Sequence, residues 1–298
     1  MTEYEEVPLK RRVKADLALL LVVFVWGTTF AIMKDVFSIV TPFYFLTLRF
    51  STAVLVLILI FHRRLKKLDL ETIKLGFFVG IFLFGGFAFQ VVGLNYTTAS
   101  KAGFLTGLSV VIVPILSAVI LKKIPSILTI VGVILAAVGL GLLSFNGQFI
   151  FNFGDFLVFL CAISLAVYIL LVGKYVQQKD SILLTIVQIT TVALLSGIAS
   201  LLEGSFKVVM DPELWGAVVY MALFATTFAL VVQNKAQEFT TPTRTAIIFS
   251  MEPVFAAIFA YFYLGEIIST NGYWGGLLIV IGMFVAELKL SKPKEEVA

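Results

Sequence analysis

The chain is poor in the residues on which most soluble chemistry rests. Of its 298 residues one is cysteine, Cys161, one is histidine, His62, and only 13% are charged. A single cysteine excludes an internal disulfide and any cysteine-based metal site. A single histidine nearly excludes histidine-ligated metals and histidine-based triads. Soluble domains carry about 25% charged residues, and half that density leaves too little polar surface to cover a body in water. A cytosolic enzyme is therefore excluded, and with 60% hydrophobic residues so is a disordered chain. No Gly-x-x-x-x-Gly-Lys-Ser/Thr loop is present, so ATP is not expected as a direct fuel. No metal or cofactor is expected either.

What the sequence has is long apolar runs. Ten can be read, near Leu17–Met33, Pro42–Phe61, Leu75–Leu94, Ala102–Leu121, Ile127–Phe145, Phe156–Gly173, Ile182–Leu202, Leu214–Asn234, Thr245–Gly265 and Gly272–Ala286. A bilayer-crossing helix needs roughly 20 such residues, and the runs lack the alternation of a barrel strand. The expected fold class is an all-α integral membrane protein whose first run is a retained helix, because no small-residue cleavage site follows Met33. Pro42 and Pro212 fall where a first helical turn tolerates proline, and Pro125 and Pro242 lie in connections just before runs. Pro114 and Pro253 fall inside runs and predict interrupted helices in the fourth and ninth, freeing carbonyls near Val110 and Phe249.

The few charges carry topology. With the N-terminus inside, basic residues from Lys10 to Lys294 fall on the cytoplasmic face, and only Lys34, Lys101 and Lys207 on the other. That bias, about six to one, places both termini in the cytoplasm of a cell membrane and accounts for the net charge of +4 without nucleic acid.

The chain also repeats itself. A shift of 143 residues brings Gln90 onto Gln233, Thr97-Thr98 onto Thr240-Thr241, Lys101 onto Arg244, Gly132 onto Gly275 and Gly139 onto Gly282. A shift of 139 brings Asp16 onto Asp155. The expected organisation is a cytoplasmic tail 1–14, a five-helix repeat 15–146, a second repeat 147–290 and a tail 291–298. Five is odd, so the second repeat must be inverted, and rocking one half against the other then exposes a midplane site to each face in turn. The two interrupted helices point to that site.

Several strings resemble the EamA-like exporters of the drug/metabolite transporter superfamily. They are Trp26-Gly27-Thr28-Thr29-Phe30, Leu48-Arg49-Phe50, Gly93-Leu94-Asn95-Tyr96-Thr97-Thr98-Ala99, Phe104-Leu105-Thr106, and Glu252-Pro253-Val254-Phe255 followed by Leu264-Gly265-Glu266. The resemblance implies two inverted five-helix units around a central cavity, with the fifth and tenth helices as outer scaffold. It also implies outward transport of small metabolites, often amino acids. The first-half counterpart of Pro253 is Val110, a departure from symmetry.

Within the runs, only Glu252 and Arg49 are central ionisable residues. Either they pair with each other, or Glu252 remains protonated, or Glu252 is a site for a proton or a substrate amine. Gln90, Gln233 and Asn234 suit either interhelical bonding or a polar metabolite. Thr106, Ser109, Gln188 and Ser250 fit both readings. Trp26 and Tyr168 lie mid-run, away from the membrane interfaces, and suit a cavity wall. Gly132, Gly139, Gly141, Gly275, Gly276 and Gly282 mark close helix contacts. Phosphorylated substrates call for several buried cations, and Arg49 alone qualifies, which favours an amino acid or amphipathic compound. A channel, or an intramembrane lipid-modifying enzyme, is the alternative class, although the clustered acids and bases of an enzyme are missing. The expected partners are thus a small-molecule substrate, protons and the lipid bilayer; the oligomeric state is left open.

Overall fold

Apolar runs that cannot hydrogen-bond to lipid satisfy their backbones internally, and here they do so as helices. The computed structural model describes residues 7–120, 122, 125–144, 152–205, 209–259, 261–262 and 269–287. Leu264-Gly265-Glu266, Lys123, Lys207, the ends of the fifth and ninth runs, and Lys289, Lys292 and Lys294 with the C-terminal tail lie outside the described residues. Among the described residues the helices join end to end into ten rods. Rod 1 is α1 (Leu9–Gly27) and α2 (Thr29–Val36), rod 2 is α3 (Pro42–Leu65), and rod 3 is α4 (Leu70–Leu94). Rod 4 is α5 (Ala99–Gly107) and α6 (Ser109–Ile120), and rod 5 is α7 (Ile127–Ser144). Rods 6 and 7 are α8 (Phe153–Tyr175) and α9 (Ser181–Leu202). Rod 8 is α10 (Pro212–Tyr220), a π-helical stretch (Met221–Phe228) and α11 (Ala229–Ala236). Rod 9 is α12 (Pro242–Phe249) and α13 (Glu252–Phe259), and rod 10 is α14 (Thr270–Glu287).

Local chemistry sets the starts. Thr98 and Thr241, mates under the 143-residue shift, cap α5 and α12 by accepting from the amides of Lys101 and Arg244. Asn152 and Asp155 form a reciprocal capping box on α8. Pro42, Pro212 and Pro242 each occupy the first turn of a helix. Because α3 runs on to Leu65, past Phe61 where the second apolar run ends, His62 sits in a last helical turn.

Six described helices are long and apolar enough to cross a membrane: Pro42–Leu65, Leu70–Leu94, Lys101–Ile120, Phe153–Tyr175, Ser181–Leu202 and Pro212–Ala236. Ile127–Leu143 and Thr270–Ala286 are shorter apolar helices. The expected ten is therefore met only in part on length and composition. The start of α1 carries Lys10, Arg11, Arg12, Lys14 and Asp16, and rod 9 is broken into two pieces. Large apolar side chains such as Leu59, Phe77, Val119, Leu194, Leu202 and Phe284 stand exposed on the outside of the bundle, as lipid-facing residues do.

The main rod pairings are symmetric. Rod 1 packs on rods 8 and 9 and rod 6 on rods 3 and 4, while rod 2 packs on rod 8 and rod 7 on rod 3. Rod 2 meets rod 7, rod 4 meets rod 9, and rod 5 meets rod 10. Exchanging each rod with the one five places on leaves these pairings unchanged. Rods 5 and 10 touch backbone to backbone. A Cβ placed on Gly139 comes 2.5 Å from the Gly275 carbonyl oxygen, and one on Gly282 comes 2.6 Å from that of Gly132. The other two glycines singled out from the sequence do not share this contact: a Cβ on Gly141 meets nothing within 4 Å, and one on Gly276 makes an ordinary contact with Val254 at 3.8 Å.

The first-half interruption is displaced from its expected place. Pro114 lies inside α6, and the break falls at Leu108. In the second half it falls at Ser250 and Met251, beside Pro253. Met251 is the mate of Leu108 under the 143-residue shift, so the two breaks are equivalent although the prolines are not. Both are tightened turns: Leu108 N–H donates to Leu105 O at 3.2 Å, and Met251 N–H to Ile248 O at 3.0 Å. A single missing N–H at Pro114 is tolerated in a buried membrane helix, so the proline does not itself decide where the helix stops.

Candidate functional site

The two breaks face a cavity of about 860 Å³, the space at its mouth included. Each half resumes its helix with a polar residue on the cavity wall, Ser109 at the start of α6 and Glu252 at the start of α13. Glu252 thus occupies a helix N-terminus. The wall also holds Trp26, Arg49, Gln90, Thr106, Tyr168, Gln233 and Pro253, together with Met33, Leu83, Phe87, Leu230 and Phe249. The surface is largely apolar with a few placed polar groups, as small-molecule sites are.

Arg49 anchors one part of the wall. Its Nε donates to Thr226 Oγ1 at 2.7 Å and its Nη2 to Ala225 O at 3.2 Å, while Trp26 Nε1 donates to the same carbonyl at 2.9 Å. The guanidinium carbon lies 5.3 and 5.1 Å from the ring centres of Phe50 and Phe87. Ala225 and Thr226 belong to the π-helical stretch of rod 8, whose widened turn makes a backbone carbonyl available to side chains. Trp26 also meets the Phe249 ring edge to face at 5.1 Å, tying rod 1 to the end of α12. Of the alternatives the sequence leaves open for Arg49 and Glu252, the direct pair is not formed: both line the cavity, and no ion pair within 4.0 Å joins them. The hydroxyl, carbonyl and ring faces around Arg49 take the place of a carboxylate.

Four of the residues singled out from the sequence lie away from this wall. Gln188 and Asn234 are fully buried behind it, with Asn234 Nδ2 donating to Gln188 Oε1 at 2.8 Å and to Thr185 Oγ1 at 2.7 Å. Ser250 turns its hydroxyl onto Ile247 O at 2.6 Å. Pro114 is buried inside α6. Thr106 lines the cavity and touches Cys161, with Oγ1 3.9 Å from Sγ.

Beyond the cavity, each end of the bundle carries a polar latch between the two halves. At one end Arg244 Nη2 lies 2.8 Å from Asp16 Oδ2, and Thr240 Oγ1 donates to Asp16 Oδ1 at 3.3 Å. At the other end Lys101 Nζ lies 3.6 Å from Asp155 Oδ2, and Thr97 donates its hydroxyl to Asp155 Oδ1. These are the pairs that the repeat shifts align, Asp16 with Asp155, Thr97 with Thr240 and Lys101 with Arg244. The sequence showed the alignment; what it left unread is that each aspartate reaches across to the other half's threonine and base. A third contact joins Lys179, in the connection after α8, to Asp69 at the N-cap of α4 at 2.9 Å and to Glu71 in its first turn at 2.6 Å. Hydrogen bonds from Thr72 and then Lys179 hold the Asp69 carboxyl below the usual carboxylate range, and the Glu71 and Asp69 contacts push the Lys179 ammonium up.

A chain that is a helical bundle among the described residues, with an apolar outer face, two matched halves and a polar-dotted cavity at their meeting, defines a membrane protein of the solute-transporter class. The sequence comparisons place it further. The profile of the EamA-like transporter family matches residues 13–145 and again 152–288, and the chain belongs to that family, within the drug/metabolite transporter superfamily. It is 35% identical over 94% of its length to an uncharacterized transporter of Archaeoglobus fulgidus, covering 88% of that protein. It is 27% identical over 90% of its length to the uncharacterized transporter YyaM of Bacillus subtilis, covering 92% of that protein. A solved crystal structure shares the fold with a TM-score of 0.78 at 19% identity, over 92% of this chain and 96% of that one.

Proposed function

We propose that the chain is a secondary transporter exporting small organic metabolites, such as amino acids or amphipathic compounds, by alternating access at this cavity. In this reading the ten rods cross the cell membrane with both termini in the cytoplasm, and 15–146 and 147–290 are oppositely oriented repeats. The observation that carries the reading is the paired latch. Equivalent polar contacts close the bundle at both ends of one cavity, which is what a carrier needs if it is to open each end in turn. Arg49 supplies a fixed positive pole on the cavity wall, and Glu252 a group that a proton or a substrate amine can occupy. Export then consists of opening the Asp16–Arg244 end to load, closing it, and parting Lys101 from Asp155 to release.

The test is counterflow in proteoliposomes with a panel of radiolabelled amino acids and aromatic amines. A carrier shows saturable exchange that accelerates when unlabelled substrate is placed on the far side. Flux that is neither saturable nor accelerated identifies a channel and overturns the reading.

A further inference from the structure

The cavity wall formed by rods 6 and 8 has a hydrogen-bonding polarity fixed from behind. A backbone carbonyl can only accept, so a chain of amides and hydroxyls ending on one is oriented throughout. Two such chains reach this wall. In the first, Gln237 Nε2 donates to Ile169 O at 3.0 Å, which turns Gln237 Oε1 toward Gln233, and Gln233 Nε2 donates to it at 3.3 Å. Gln233 Oε1 is then left as an acceptor on a cavity residue, buried and without a partner. In the second, Thr185 donates its hydroxyl to Ser181 O at 2.7 Å and so receives Asn234 Nδ2. Asn234 Oδ1 therefore faces Tyr168, whose hydroxyl donates to it at 3.2 Å and to Gln188 Oε1 at 3.4 Å. The Tyr168 proton is spent on the side away from the cavity, and its oxygen lone pairs remain.

The repeat does not impose this arrangement. Gln90, the mate of Gln233, also lines the cavity, but the mate of Gln237 is Leu94. Only the second half orients its glutamine.

We infer that this wall is a recognition face for the protonated amine of the substrate, with Gln233 Oε1 and Tyr168 Oη accepting its N–H groups and Gln237 and Thr185 as the positioning residues that set their polarity. An ammonium brings three donors and no acceptor, and a wall with acceptors already oriented meets it without rearrangement. A carboxylate at the same place meets lone pairs and leaves Gln233 Oε1 unsatisfied. The inference rests on the cavity being the substrate site of the proposed transporter.

The test measures binding of 2-phenylethylamine, its N-acetyl derivative and 3-phenylpropionate to the purified full chain by calorimetry, beside counterflow of the same compounds. The wild type is expected to bind the amine at least about tenfold more tightly than either analogue, the worth of one well-placed buried hydrogen bond. Gln237→Leu and Thr185→Val, which leave the cavity surface intact, are expected to bring the three affinities within about threefold. Gln237→Glu, as the neutral acid, donates its O–H to Ile169 O in place of the amide and still accepts from Gln233; it is expected to keep the preference, which separates orientation from packing and serves if Gln237→Leu does not fold. Equal affinities in the wild type, no binding of the amine, or a preference unchanged in Gln237→Leu and Thr185→Val overturns the inference. Amine binding that follows the variants as expected, without counterflow, overturns the transport reading and leaves the recognition face standing.

Discussion

The guanidinium of Arg49 is held by the hydroxyl of Thr226, 2.7 Å from Nε, on a stretch of rod 8 wound as a π-helix. A buried cation with a neutral acceptor keeps its charge for the cavity, whereas an ion pair would cancel it. Thr226→Val keeps the shape and removes the acceptor, at a cost of roughly 1.5–3 kcal/mol for a hydrogen bond to a charged group. We expect transport to fall about tenfold or more with membrane expression unchanged. Arg49→Lys is expected to do no better, because an ammonium cannot serve Thr226, Ala225 and two ring faces together. Initial rates in proteoliposomes check both.

Rods 5 and 10 allow no side chain at their crossing. A Cβ on Gly275 stands 2.5 Å from both the Gly139 carbonyl oxygen and the Leu143 amide nitrogen, and backbone cannot move aside as a side-chain tip does. Gly275→Ala is expected to destabilise the protein by roughly 1–3 kcal/mol, the usual cost of overpacking. Gly141→Ala, where the added atom meets nothing within 4 Å, is expected to be neutral. Thermal unfolding of the two variants in detergent makes the comparison.

The proposed use of Glu252 has its own test. If a proton or an amine occupies that carboxylate, Glu252→Gln removes the titration and leaves a neutral amide in its place. The pH dependence of transport between about pH 5 and 8 is expected to flatten in the variant. An unchanged pH profile with normal rates shows that Glu252 is structural.

The clasp of Lys179 with Asp69 and Glu71 links pH to stability rather than to transport. Asp69 titrates below its unfolded value, so its contribution is present above about pH 3.9 and is lost as pH falls through the folded value. Lys179 titrates above its unfolded value, so its contribution is full below about pH 10.4 and is lost as pH rises through the folded value. The difference in melting temperature between wild type and Lys179→Met is therefore expected to be flat from about pH 5 to 9 and to narrow outside that window. A difference that changes between about pH 5 and 9, or that does not narrow outside that window, contradicts the assignment.

Most of the helices were legible because lipid exposure writes itself as uninterrupted apolar runs, and the repeat because polar residues recur at one spacing. The cavity wall was legible where a polar or aromatic residue stood alone in such a run, as with Arg49, Gln90, Tyr168 and Glu252. The break at Leu108 was not, because a tightened turn in a membrane helix needs no proline to mark it. The roles of Gln188 and Asn234 were not legible either. A buried amide behind a cavity and one lining it have the same surroundings in sequence, and only the third dimension separates them. The latches were half legible: Asp16 and Asp155 aligned as repeat mates, but partners more than 200 residues away, such as Arg244 for Asp16, are set by packing between the halves.

Cys161 gives the most direct test of alternating access. It is the only cysteine in the chain, buried between rods 6 and 4 against Thr106, and lies between the Asp155 latch and the cavity. A membrane-impermeant maleimide is applied from the Asp155 face of oriented vesicles, and the rate of labelling is followed. Lys101→Gln loosens that end and is expected to speed labelling relative to wild type. Asp16→Asn loosens the opposite end, shifts the population away from the Asp155-open state, and is expected to slow it. Rates that stay unchanged, or that move in the same direction in both variants, contradict the account.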